Sequence, residues 1–150
     1  MIQIIKNLFF WINLYLMSEP NLNTDNNNCF VCGPNNPIGL RINFFIDEEV
    51  CRGEFTPKTD HVGFNNITHG GIIFSLLDDV MANWLFLKNQ AAHTAKCELR
   101  YRNPLPIGEK VLLEGRCIKR KGRVAVMKGL AIHEQTKKII AESDAKFLII

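Results

Sequence analysis

Thr68 to Lys88 reads THGGIIFSLLDDVMANWLFLK, and this stretch decides the fold. Placed on a helix from Gly70 to about Lys88, its apolar residues cover nearly the whole circumference. They are Ile72, Ile73, Phe74, Leu76, Leu77, Val80, Met81, Trp84, Leu85, Phe86 and Leu87. A helix that is apolar all round belongs in a core or in lipid. Asp78 and Asp79 argue against lipid, because each costs at least about 2.5 kcal/mol at a bilayer centre. The helix is therefore expected at the centre of a soluble core. Thr68 is the expected N-cap, since a hydroxyl there satisfies one of the orphan amides of the first turn.

Upstream, Leu40, Ile42, Phe44 and Ile46 alternate with Arg41, Asn43 and Phe45, the period of a strand. A second strand is expected from about Val50 to Phe55, closed by Pro57, and Thr59 to Thr68 has no period and reads as a loop. Downstream come four strand-like runs: Thr94–Arg102, Lys110–Lys119, Arg123–His133 and Lys138–Ile150. Short polar turns join them, as an antiparallel meander requires. Two strands, one buried helix and four antiparallel strands predict an α+β fold, a sheet wrapped around a single helix.

Composition bounds the function. The 150 residues suffice for one domain, and 47% are hydrophobic against 22% charged, the balance of a globular chain. A net charge of +3, with no stripe of basic and aromatic residues, gives no support for a nucleic-acid partner. Five scattered cysteines (Cys29, Cys32, Cys51, Cys97 and Cys117) do not make a disulfide framework, so a reducing cytoplasm is expected. Cys29-x-x-Cys32 resembles half of a zinc ribbon, but no second pair follows. It is read as a packed or turn-stabilising pair, and no metal or other cofactor is expected.

The ends need separate reading. Met1 to Met17 is an apolar run interrupted by Gln3, Lys6, Asn7 and Asn13. It is short and polar-spotted for a membrane span, and no small-residue cleavage site precedes Ser18. It reads as a stretch upstream of a true start at Met17, as a membrane-surface anchor, or as an extra helix. An Asn-rich linker follows, so 1–28 is set apart from a folded domain at 29–150.

The chemistry concentrates at the helix. His69-Gly70-Gly71 opens it, and Asp78 stands nine positions after His69. Glycines at a helix start let a ligand approach exposed amides, which the helix dipole makes good hosts for negative charge. A carbonyl under attack develops such charge, and a buried carboxylate can act as general base or nucleophile. Ser75, Asp79 and Asn83 recur every four residues as a polar stripe. Asp78 lies about 100° round from Asp79, near Gly71, Phe74 and Ala82, where a raised pKa is expected. Asp79 reads as hydrogen-bonded scaffold. His69 and His61 read first as structural histidines.

The run NITHGGIIFSLLDDVMAN, Asn66 to Asn83, resembles the signature of the hotdog-fold thioesterase superfamily, its phenylacetyl-CoA and broad acyl-CoA branch. TAKCELRYRNPLPIGEKV, Thr94 to Val111, is similar to the strand and turn that follow there. CFVCGPNNPIGL, Cys29 to Leu40, resembles the cysteine-glycine leader of many bacterial members. The resemblance implies a hotdog fold and hydrolysis of an acyl-CoA by a homodimer or dimer of dimers. It implies Asp78 as the catalytic acid, Gly70 and Gly71 as oxyanion glycines behind His69, and Thr94 as a hydroxyl that helps place water. Several relatives carry Asn six residues before the histidine; here that residue is Gly63. In this fold a basic hairpin often lies near the coenzyme A phosphates, which implicates Lys121, Gly122 and Arg123 in the run from Lys119. Two other readings stay open: a non-catalytic acyl-CoA-binding protein of the same fold, and a dehydratase, which the motif fits worse.

Overall fold

The computed structural model describes residues 26–150. The segment before Met17, with its anchor and start-site readings, lies outside the described residues.

The described chain runs β1 (Phe45–Asp47), β2 (Val50–Phe55), a single 3-10 turn (Thr59–His61), β3 (Val62–Phe64), β4 (Ile67–Thr68), α1 (Gly70–Phe86), β5 (Ala92–Tyr101), β6 (Val111–Lys121), β7 (Val124–His133) and β8 (Ile139–Ile149). Six strands form one antiparallel sheet in the order β1-β2-β6-β7-β8-β5, and β3 and β4 make a separate hairpin. The expected α+β architecture is present: one helix packed against one antiparallel sheet.

The helix sits against the sheet because the sheet is lined by small residues where it passes. Ala125, Ala131, Ala141 and Ala145 are buried on β7 and β8. At Gly115 of β6 a Cβ would stand 2.5 Å from the Val80 carbonyl oxygen, so only glycine lets the helix backbone come this close. Ile73, Leu76, Leu77, Val80, Met81 and Leu85 fill the remaining space with Phe55, Leu113, Met127 and Phe147. Burying side chains of this size contributes about 1.5–3 kcal/mol each. Ile72 is half-buried and Phe74 is 38% exposed, so one flank of the helix faces outward in a single chain.

Two local expectations change. The first strand is shorter than its alternation: Ile42 and Phe44 are buried and Phe45 exposed, but regular pairing begins only at Phe45, after Arg41 adopts φ 56°. The segment read as a loop contains the β3–β4 hairpin. Asn65 and Asn66 turn it with φ 47° and 60°, a left-handed pair that Asn tolerates and that tight hairpins require.

Candidate active site

The helix start is held by its neighbours. The Thr68 amide donates to the Leu105 carbonyl, and the His69 amide to the His61 carbonyl, both at 2.8 Å. His69, not Thr68, is the N-cap: its Nδ1 accepts the Gly71 amide at 2.9 Å. Thr68 sits one residue too early, because it is still paired with Val62 in the hairpin. Its hydroxyl is buried and has no partner among the described residues. The cap also revises the expected oxyanion pair. His69 occupies the Gly71 amide, so the Gly70 amide is the donor left without a partner among the described residues. The His69 Nδ1 is thereby engaged with the backbone of the first helical turn. Across the groove, the Tyr101 hydroxyl donates to the Gly70 carbonyl at 2.8 Å.

Further along the helix, the Thr94 hydroxyl donates to Asp78 Oδ1 at 2.8 Å. Burial pushes the Asp78 carboxyl above its ordinary range, and the Thr94 bond opposes that push without cancelling it. No cation pairs with Asp78 among the described residues. Thr94 stands at a bulge in β5, where the register to β8 shifts between Thr94 and Lys96. Bulges re-aim side chains and gather beside active sites; alternation alone would not have marked this one.

Asp79 faces a different neighbourhood. The Asn83 amide donates to Asp79 Oδ2 at 3.0 Å, and the Cys29 thiol lies 3.7 Å from Asp79 Oδ1. Burial first of all pushes its carboxyl up, the two thiols oppose this, and the nearby Asp78 adds to it. The two aspartates thus have different hydrogen-bond partners, and the leader cysteines lie with Asp79.

Lys121, Gly122 and Arg123 form the exposed tip of the β6–β7 hairpin, with Gly122 at φ 57°. Arg123 Nε donates to the Ile149 carbonyl at 2.8 Å. Thr94 is opposite Phe147 on β8, which is opposite Ala125 on β7. The basic tip therefore lies at the same end of the sheet as Thr94, two strands or about 10 Å across. It is near the candidate site but not in it.

Gly63 has a steric reason. A Cβ there would stand 2.9 Å from the His69 Cα. The loop passes the cap too closely for the Asn that several relatives carry.

Residues 65–140, half of the chain, match the sequence profile of the thioesterase superfamily. Among curated proteins, none is similar enough in sequence to match. Solved structures with the same fold include a thioesterase superfamily protein at 21% identity, covering 97% of this chain and 81% of its own, with a TM-score of 0.75. The PaaI protein from the phenylacetic acid degradation operon of E. coli is 21% identical over 74% of this chain and 80% of its own, with a TM-score of 0.69. The smu.793 protein of Streptococcus mutans, solved bound to acetyl CoA, is 17% identical over 73% of this chain and 88% of its own, with a TM-score of 0.67. The single helix on an antiparallel sheet is the hotdog fold of these neighbours, and the chain belongs to the thioesterase superfamily.

Proposed function

We propose that the chain hydrolyses an acyl-CoA thioester to the free acid and coenzyme A, with Asp78 as general base or nucleophile. The observation that carries this reading is the Asp78 carboxylate itself: half-buried, oriented by Thr94 and without a cation partner among the described residues. As general base, it takes a proton from a water that adds to the thioester carbon. The carbonyl electrons move onto oxygen, where a helix-start amide such as that of Gly70 stabilises the charge. Collapse expels the sulfur, which takes the proton back. As nucleophile, Asp78 would attack the thioester carbon and expel the coenzyme A thiolate, leaving a mixed anhydride. Water then opens it to the free acid and the Asp78 carboxylate, and the water's proton goes to the thiolate. The neighbour bound to acetyl CoA and the PaaI relative support this substrate class. The basic hairpin at Lys121, Gly122 and Arg123 is proposed to meet the nucleotide phosphates.

The working unit is proposed to be at least a dimer. Strand β5, ten residues long, is a sheet edge, and Phe64, Phe74 and Tyr101 are exposed. Long bare edges and apolar patches favour a second copy. No helix among the described residues is long and apolar enough to cross a membrane.

The test is incubation of the full chain with acyl-CoAs of graded chain length, and with phenylacetyl-CoA, beside a thiol reagent. Thiol release that saturates with substrate is the expected result. Saturable acyl-CoA binding without thiol release by the folded chain would favour the binding-protein reading instead.

A further inference from the structure

The cysteine-glycine leader meets the helix at Asp79, and its cysteines stabilise a turn there, as one sequence expectation has it. Cys29 Sγ accepts two backbone amides, those of Val31 and Cys32, each at 3.4 Å. The Gly33 amide closes the turn onto the Cys29 carbonyl at 3.0 Å. These two amides fix the position of the Cys29 sulfur beside the helix. Helix α1 supplies the acceptor for the Cys29 thiol. Asp79 Oδ1 is 3.7 Å from Cys29 Sγ, while its second oxygen is held by Asn83, whose amide also lies 3.8 Å from Cys32 Sγ. The two sulfurs and a carboxylate oxygen all lie within 4.8 Å of one another.

We propose that Cys29, Cys32 and Asp79 bind a thiophilic divalent cation of the zinc class, which fastens the leader to the central helix. Zinc bonds of about 2.3 Å to sulfur and about 2.0–2.2 Å to oxygen place tetrahedral ligands ~3.4–3.8 Å apart. The Cys29–Asp79 separation is already that edge. Two thiolates and one carboxylate favour zinc over calcium or magnesium, which take all-oxygen sites. A cavity of about 240 Å³ opens onto the cluster and is lined also by Asn83, Gln90 and His93. Gln90 Oε1 is buried without a hydrogen-bond partner among the described residues. In that cavity it is an acceptor within the same lining as the cluster. The site does not depend on the thioesterase reading, and its test uses no activity measurement.

Full chain purified under reductant, stripped with a chelator and titrated with Co2+ is the experiment. One Co2+ per chain with thiolate-to-cobalt charge-transfer absorption, displaced by one Zn2+, is expected. Cys29→Ser or Cys32→Ser should abolish that absorption, Asp79→Asn should weaken binding at least about tenfold, and Cys97→Ser should change nothing. Circular dichroism identifies the folded variants. No stoichiometric binding by the reduced, folded unmodified chain would overturn the site, as would a spectrum that survives Cys32→Ser. Loss of the spectrum in Cys97→Ser would move the metal elsewhere and overturn it equally.

Discussion

Thr94 on the edge strand donates its hydroxyl to the Asp78 carboxylate in the middle of the helix, 16 positions away in sequence and 2.8 Å away in space. One bond ties the edge strand to the helix, and it leaves the second Asp78 oxygen for the proposed chemistry. Asp78→Asn removes the base while keeping the volume, so turnover should fall by about 10²–10⁴ with the fold intact. Thr94→Ala frees the carboxylate to rotate and should lower kcat by about tenfold, equivalent to about 1.4 kcal/mol. Asp79→Asn should cost less turnover than Asp78→Asn. Steady-state rates on variants with matched circular dichroism check this, and greater damage from Asp79→Asn would refute the assignment.

The cap loop makes a second, steric prediction. Gly63→Asn places a Cβ 2.9 Å from the His69 Cα, a backbone atom that cannot swing aside. Overpacking of this kind costs about 1–3 kcal/mol. The substitution should lower the urea midpoint by a matching amount and lower turnover, because it shifts the helix start. A variant as stable as the parent, with higher turnover, would show that the loop accepts the relatives' residue.

The basic hairpin predicts an effect on binding. Two exposed charges on a phosphate contribute about 0.2–1 kcal/mol each. Lys121→Ala with Arg123→Ala should therefore raise KM for an acyl-CoA about two- to thirtyfold. A short thioester that lacks the nucleotide should be unaffected. Arg123 also holds the Ile149 carbonyl, so Lys121→Ala alone separates charge from strand anchoring. Equal effects on both substrates would mean that the hairpin does not read coenzyme A.

Much of this was legible because it is periodic. The helix was expected from Gly70 to about Lys88 and ends at Phe86; each long strand begins and ends within two residues of its run. The 100° between Asp78 and Asp79 gives them different hydrogen-bond partners, Thr94 and Asn83. Burial raises both carboxyls, however, which the helical period does not foretell. What stayed hidden depends on tertiary contact. Thr68 has the better capping side chain, yet pairing with Val62 keeps it in a strand and passes the cap to His69. Asn65-Asn66 carries a turn signal, but the strands beside it are too short to show a period. Asp79 meets Cys29 across 50 positions, so nothing local marks the cluster.

The last prediction concerns how many chains make one site. The Gly70 amide opens the helix and Asp78 lies eight residues on, about 12 Å along the axis at 1.5 Å per residue. One thioester carbon needs its oxyanion donor and its attacking group within about 3 Å each. A single straight helix cannot supply both. Two antiparallel helices across a two-fold axis can, with one chain's helix start beside the other chain's Asp78. The exposed flank at Phe74 and the bare edge of β5 are where that second copy would sit. Complementation tests it. Gly70→Pro removes the amide at a first helical position that tolerates proline, and Asp78→Asn removes the base. Each homodimer should be nearly inactive, and mixing them should restore one working site in each hybrid. With equal mixing, half the dimers are hybrids and each carries one site of two, so about a quarter of the parental activity should return. No recovery, with hybrids confirmed by mass, would place the whole site within one chain.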